Sequence, residues 1–424
     1  MIKFDFNQNC CGCTACVNSC AKGAITMQQN DEGFMMPVVD ESKCVDCGLC
    51  DKVCPHLNTS EDRSNFSLES FKDKKSYLYY SNKLERKDSA SGGFVYDAMK
   101  AIVDNGGLAC GCVWDENLRA VHIVSDKQED LLHMQSSKYV QSDMQGCYKE
   151  IKVALKSGRK VVFCGTPCQT AGLKHYLGKA DKTNLISICL ICHGVASPGV
   201  WDRWKTVMEK KHHGKLIYVN MRDKSYKGYS TSYSKYTFID KKKSEPLAHE
   251  KVGHASHGTN VDKSNPHTSL ISTRNVGMPT YLADPYIFLF TDDLYLRHSC
   301  NQCQYKADNN GADIIVGDFY ASTEGAGNLG CSCVIAMNEK GPEFIDSLDG
   351  TIKKSSYIQV GSVNSMLWKS VKEHPNRTAF FERYKAETEP SERLFTDFLP
   401  MKFKVKKVLN QLGLFSVARK LLGK

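Results

Sequence analysis

The 424-residue chain has no stretch of about 18 consecutive apolar residues, so no segment reads as a membrane-spanning helix. Its first residues, MIKFDFNQNCCGC, lack the basic flank and apolar run of a secretory signal, and a cytoplasmic, reducing location is expected. No Ser-His-Asp set and no paired carboxylates stand out, so no acid–base catalyst is named. Spacings of the RRM or zinc-finger kind are also missing, and no nucleic-acid partner is expected. Cysteine, by contrast, is abundant. A reducing compartment does not keep disulfides, so twenty cysteines point to metal or redox chemistry.

The formal charge of +9 assumes neutral thiols. Four thiolates around a 4Fe–4S core form a unit of net charge about −2, so three such clusters would leave the chain at about +3. That is weak grounds for a polyanionic partner.

Cys10, Cys13, Cys16 and Cys20 follow C-x2-C-x2-C-x3-C, and Cys44, Cys47, Cys50 and Cys54 repeat the run 34 residues later. Three cysteines at this pitch wrap a short loop around one cubane cluster, and the fourth points to the neighbouring cluster. One cluster is therefore expected on Cys10, Cys13, Cys16 and Cys54, the other on Cys44, Cys47, Cys50 and Cys20. Zinc also takes four thiolates, but two interleaved runs of four favour iron–sulfur clusters. AITMQQ and FMMPVV around NDEG read as a hairpin. The segment resembles a bacterial two-cluster ferredoxin, with Ala21 where proline usually follows the first run. Cys11 is left over.

Residues 61–75 read as a polar linker, and a larger unit is expected over 76–395. SASGG (89–93) opens a helix, FVYDAMKAIV, and its free N–H groups could cradle a phosphate; simple helix capping is the plainer reading. LACGCVW and LRAVHIV read as a second hairpin. RKVVFCGTPCQTAGLKHYL (159–177) and NLISICLICHGVASPGVWDRWKTVMEKK (184–211) each read strand, turn, helix, so the two strands are parallel neighbours. Cys168 and Cys192 then emerge together at the carboxyl edge of the sheet, where open α/β sheets bind ligands. With Cys300 and Cys303 of HSCNQC they make four candidate ligands for a third cluster. Cys164 and Cys189 lie within the strands and read as small buried residues, as do Cys110, Cys112, Cys331 and Cys333. Cys147 starts a helix.

SASGG, SKYVQSD (137–143), GTPCQTAGL, CHGVASP, LYLRHSCNQC and ADIIVGDF occur in this order. They resemble the coenzyme F420 hydrogenase/dehydrogenase β-subunit family over roughly residues 76–340, here with a ferredoxin domain (1–60) in front. Ala196 and His298 stand where the family has prolines, and Tyr320 where it often has tryptophan. The resemblance implies FAD on the α/β core beside a 4Fe–4S cluster held by Cys168, Cys192, Cys300 and Cys303. Its pyrophosphate is expected at Ser91, Gly92 and Gly93 with Lys138 as counter-charge, and Gly165 and Thr166 are expected to supply N–H groups.

The expected fold class is therefore α+β and α/β: a small ferredoxin-like domain, a larger α/β flavin and iron–sulfur core, and a helical tail at 396–424. The expected function is oxidoreduction, with FAD exchanging hydride with coenzyme F420 or an unsaturated metabolite and ferredoxin or another redox protein handling single electrons. The alternative is a non-catalytic electron-transfer subunit docked on a hydrogenase or dehydrogenase. Residues 240–285 read as a surface loop, or else a lid or docking surface, and their histidines at 249, 254, 257 and 267 have no regular spacing. The tail carries seven basic residues and no acidic one over 398–424, with Val405, Val408, Leu409 and Leu412 on one helical stripe. It suits an anionic membrane surface, a partner or its own domain.

Overall fold

The computed structural model describes residues 10–58, 66–225, 228–229, 233–240, 268–272, 284–321, 323–401 and 404–405. Most of the 240–285 stretch, including its four histidines, and most of the basic tail lie outside these residues. Among the described residues no helix is long and apolar enough to cross a membrane.

The expected first hairpin is β1 (Ile25–Gln29) against β2 (Met35–Val39), antiparallel. Asn30 makes the turn, its side-chain oxygen accepting from the N–H groups of Glu32 and Phe34. Short helices α1 (Ala15–Ser19) and α2 (Leu49–Val53) follow the two cysteine loops. The linker reading of 61–75 is too long at its C-terminal end. Leu68–Phe71 forms a 3-10 turn that buries Phe71 completely, because the core offers an apolar slot that a polar composition does not reveal.

The core is an eight-stranded mixed sheet. Its strands are β3 (Lys75–Ser81), β4 (Leu108–Trp114), β5 (Ala120–Ser125), β6 (Val161–Gly165) and β7 (Leu185–Leu190), then three more that follow a small separate sheet. That small sheet is β8 (Gly214–Asp223), β9 (Tyr233–Asp240) and β10 (Thr268–Ser272), so residues 268–272 are strand and not loop. With β11 (Ile314–Phe319), β12 (Cys331–Ala336) and β13 (Gly350–Ser355), the large sheet runs β13-β3-β12-β11-β7-β6-β4-β5. The central strands β4, β6, β7 and β11 are parallel, and antiparallel strands close both sides.

Buried on both faces, the central strands read as near-continuous apolar runs such as VVF and ISI. Helices α3 (Phe94–Asp104) and α4 (Gln128–Met134) cover one face, packing Phe94 and Met99 toward Val162 and Ile314. Helices α5 (Cys147–Lys156) and α6 (Pro167–Leu177) cover the other, packing Tyr148 and Leu173 with Phe163. After β7 comes α7 (Pro198–His212), capped by the Ser197 hydroxyl as the Ser-Pro pair suggests. Its Trp201 and Trp204 anchor a further core with Tyr286, Phe380 and Phe34, so the β1–β2 hairpin is packed into the large unit.

Candidate iron–sulfur centres and adjoining cavity

The two-cluster segment is fastened to the core through polar groups as well as Phe34. Arg297 is 3 % exposed and donates to the carbonyls of Cys10 at 2.7 Å and Met35 at 3.2 Å, and to Gln141 Oε1 at 2.7 Å. Gln141 in turn donates to the Cys11 carbonyl at 3.2 Å. Arg377 forks onto Glu32 with contacts of 2.9 and 2.5 Å. Gly12, at φ +69°, lies so close to Gln141 that a Cβ there would sit 2.1 Å from Nε2. Only glycine satisfies both the left-handed backbone and this approach.

Cys10, Cys13, Cys16 and Cys54 ring one small hollow, the set expected for the first cluster. Burial pushes the Cys54 thiol up to about 11 and raises Cys16 further, while the Leu57 and His56 N–H groups pull Cys54 down and that of Val17 pulls Cys16 down. Sulfurs shut away from water yet faced by N–H donors suit thiolates whose charge is met by iron. Of the second set, Cys20 accepts the Ala24 N–H at 3.3 Å and packs with Cys50 beside Cys16 and Cys54. Cys44 is half-buried and Cys47 exposed, which places this set nearest solvent.

The third set is brought together by tertiary pairing. Cys168 stands in the first turn of α6, where Thr166 and Gln169 form a capping box, and the Thr166 hydroxyl touches the Cys168 sulfur at 3.3 Å. Cys192 follows β7. A bridge between Ala196 and Leu296 then lays the segment before Cys300 along the segment after Cys192. A Cβ on Gly194 would meet that of Cys300 at 3.5 Å. Burial pushes Cys192 up to about 12 and also raises Cys300 and Cys303, with the nearby thiols adding to the rise.

Two buried cations flank this set. Lys306, 3 % exposed, donates to the carbonyls of Cys192 and of Met366, the latter at 2.9 Å. Arg297 lies on the Cys168 side and lowers that thiol against the rise caused by Cys11 and burial. Among the described residues neither cation has a carboxylate partner. A buried cation without an acid is costly, and a thiolate set of net negative charge offsets it. The residues therefore fit a 4Fe–4S cluster. No group of three or more His, Cys, Asp or Glu among the described residues is spaced for a single metal ion.

The first and third sets adjoin. The Cys13 side chain lies 3.0 Å from where a Cβ on Gly172 would stand, one helical turn after Cys168. Cys11, the cysteine outside both runs, sits in this seam, its sulfur 4.0 Å from the Tyr305 hydroxyl and against Cys13 and Cys168. The first set thus lies between the second and the third.

Beyond the third set opens a cavity of ≈ 370 Å³. It lies at the carboxyl edge of β4, β6 and β7, as an open α/β sheet would place it. Cys192 and Thr166 belong to its wall, and Tyr139 and Phe290, stacked at 4.7 Å, supply an aromatic side. Asp318 is held by Arg222 at 2.6 Å and by the Tyr320 hydroxyl at 3.2 Å.

Of the residues expected around a flavin, Ser91, Gly93, Lys138, Gly165 and Thr166 line this cavity. Gly92 does not; its N–H goes to the Ser332 hydroxyl at 3.1 Å, because the turn packs on β12. The Ser91 hydroxyl is likewise given to the Cys331 carbonyl at 2.7 Å. The Thr166 N–H is taken by Gln169 Oε1 at 2.9 Å, so the capping box leaves it nothing to offer a ligand. The Lys138 ammonium donates to the carbonyls of His133, Gln135 and Ser136. It supplies charge to the wall, with its N–H groups already engaged. Cys112, expected as a strand filler, is part of the wall. His122, Tyr139, Phe290 and Asp318 line it too, and strand alternation gave no sign of them.

Known proteins share both parts of this chain. Residues 158–364 match the family model for the C-terminal part of the coenzyme F420 hydrogenase/dehydrogenase beta subunit, and residues 9–58 match a 4Fe–4S dicluster domain. The chain is 30% identical over 166 residues to the coenzyme F420-dependent sulfite reductase of Methanocaldococcus jannaschii. That match covers 39% of this chain and 24% of the relative, so the chain spans about a quarter of its length. A solved chain of the F420-reducing [NiFe] hydrogenase complex from Methanosarcina barkeri is similar at 16% identity and a TM-score of 0.39, covering 74% of this chain and 93% of that one. Over residues 158–364 the chain is thus similar to the C-terminal part of the coenzyme F420 hydrogenase/dehydrogenase β subunit, and over residues 9–58 to a 4Fe–4S dicluster domain.

Proposed function

We propose that the chain is an iron–sulfur flavoprotein oxidoreductase of a reducing compartment. Three 4Fe–4S clusters in a row would connect the surface near Cys47 with an FAD in the cavity. The observation that carries this reading is the meeting of Cys168, Cys192, Cys300 and Cys303 beside the cavity, flanked by Lys306 and Arg297. When bound, a flavin exchanges a hydride pair with a small molecule and single electrons with the clusters. The chain's own residues set charge, distance and access. Tyr139 and Phe290 offer an aromatic side to a planar ring, Lys138 gives the wall positive charge, and Arg222 holds Asp318 in place. A volume of ≈ 370 Å³ lies in the usual range of small-molecule sites, about 300–1,000 Å³. The name of the sulfite reductase relative favours coenzyme F420 as the hydride partner. The exposed end of the two-cluster segment suits ferredoxin or another redox protein as the single-electron partner.

Anaerobic iron, sulfide and flavin analysis tests the reading: about twelve irons and one FAD per chain are expected, at four irons per cluster. The variant Cys168→Ala/Cys192→Ala should fall to about eight irons. Eight irons in the wild type would remove the third cluster from the scheme. A second reading, an electron-transfer subunit docked on a catalytic partner, is favoured by the small share of the sulfite reductase that this chain covers. Turnover of reduced ferredoxin with coenzyme F420 by the purified chain alone would eliminate it.

A further inference from the structure

Tyr320 follows β11 directly and lines the cavity, yet is 62 % exposed. Leu190 ends the neighbouring strand β7 and is 38 % exposed in the same wall, and Thr291 is exposed there too. These three mark the mouth of the cavity. A single exposed aromatic at a strand end is ordinarily just solvated, with its ring free to turn. Tyr320 is instead held in place. Its hydroxyl donates to Asp318 Oδ2 at 3.2 Å, and its ring lies against Tyr229 with centroids 6.4 Å apart and planes 30° from parallel. The rest of the ring is what the mouth exposes.

The same contacts continue into the cavity. Arg222 Nη1 donates to Asp318 Oδ2 at 2.6 Å and to the Tyr139 hydroxyl at 3.3 Å. Tyr139 stacks on Phe290, which is 2 % exposed and so belongs to the inner wall. One guanidinium therefore fixes two aromatic platforms relative to each other, one deep in the wall and one at the mouth. Hydride transfer between two planar rings requires both to be held in one mutual orientation. The inner platform suits the flavin. We propose that Tyr320 is the stacking face for the hydride partner, a planar heterocycle of the deazaflavin kind that enters the mouth beside Leu190. An aromatic face already fixed by its neighbours gives up little conformational freedom when the ligand arrives. The assignment rests on the flavin reading above, and the test separates the two.

The full chain, purified anaerobically with its clusters and FAD, is oxidised and titrated with oxidised coenzyme F420, so that binding is read without turnover. Quenching of the F420 fluorescence gives Kd, and FAD and iron are counted in the same samples. Tyr320→Ala should bind F420 about tenfold more weakly with FAD and iron at the wild-type level. Tyr320→Phe keeps the ring and should stay within about twofold of wild type, whereas Tyr320→Leu, apolar but without a ring face, should lose about as much as Tyr320→Ala. Wild-type affinity in Tyr320→Ala overturns the proposal, as do equal affinities in Tyr320→Phe and Tyr320→Leu. If Tyr320→Ala does not retain its FAD, the comparison of Tyr320→Phe with Tyr320→Leu decides. A wild type that carries FAD but does not bind F420 overturns this assignment alone. One that carries no FAD overturns the flavin reading and this assignment with it.

Discussion

Replacing Lys306 by methionine should shift one redox potential and spare two. The Lys306 ammonium is buried against the Cys192 carbonyl and among the described residues has no ion-paired carboxylate. Its charge lowers both Cys192 and Cys303 against the rise that burial causes. Adding an electron to a cluster there places one more negative charge beside this cation. At a separation of about 6 Å and an effective dielectric constant of about 20, the attraction is about 3 kcal/mol. For a one-electron couple that is about 120 mV. Lys306→Met should therefore lower the potential of the third cluster by about 100 mV and shift the two ferredoxin-type clusters much less. Redox titration followed by EPR on anaerobically purified protein resolves the three. The same change should stabilise the iron-free chain, in which the cation faces neutral thiols, and destabilise the loaded one. An unmoved third potential, or a shift confined to another cluster, would refute the idea that Lys306 balances cluster charge.

Arg377→Ala strands Glu32 at the hairpin contact and should cost about 3 kcal/mol, read as a lower thermal midpoint with early loss of the ferredoxin-type EPR signals. Gly172→Val drives carbon into Cys13 and should reduce iron content at the first cluster while the fold, followed by circular dichroism, persists. His122 also predicts a pH dependence. Its native value of about 4, lowered by burial, lies below the ordinary 6.5, so between these the unfolded chain binds a proton that the native one does not. Stability is full above the ordinary value and falls by about 3 kcal/mol toward pH 4. Denaturant titrations from pH 7 to pH 5 should show this slope in wild type and a flatter one in His122→Phe.

Much of the site can be read from local pattern. The strand-turn-helix runs at 161–177 and 185–212 are parallel neighbours, and Cys168 and Cys192 leave them on one edge. Cys164 and Cys189 are buried within the strands, as their place in apolar runs implies. What local pattern does not carry is long-range pairing and the use of donors. The place of Cys300 depends on the Ala196–Leu296 bridge, 100 residues apart in the chain. Gly92 and Thr166 look like free donors until Ser332 and Gln169 claim their N–H groups. Lys306 and Arg297 carry no signal in the sequence, because no periodicity announces a buried cation. His122 alternates like any strand residue, and only the approach of β6 gives its ring a role.

The Arg297 side chain ties the first cysteine loop to the strand that leads into the last one. Electrons entering near Cys47 would thus travel a rigid track, without a tethered carrier swinging between donor and acceptor. Throughput would then depend on cofactor spacing and driving force, and solvent viscosity should leave it untouched once the external donor has docked.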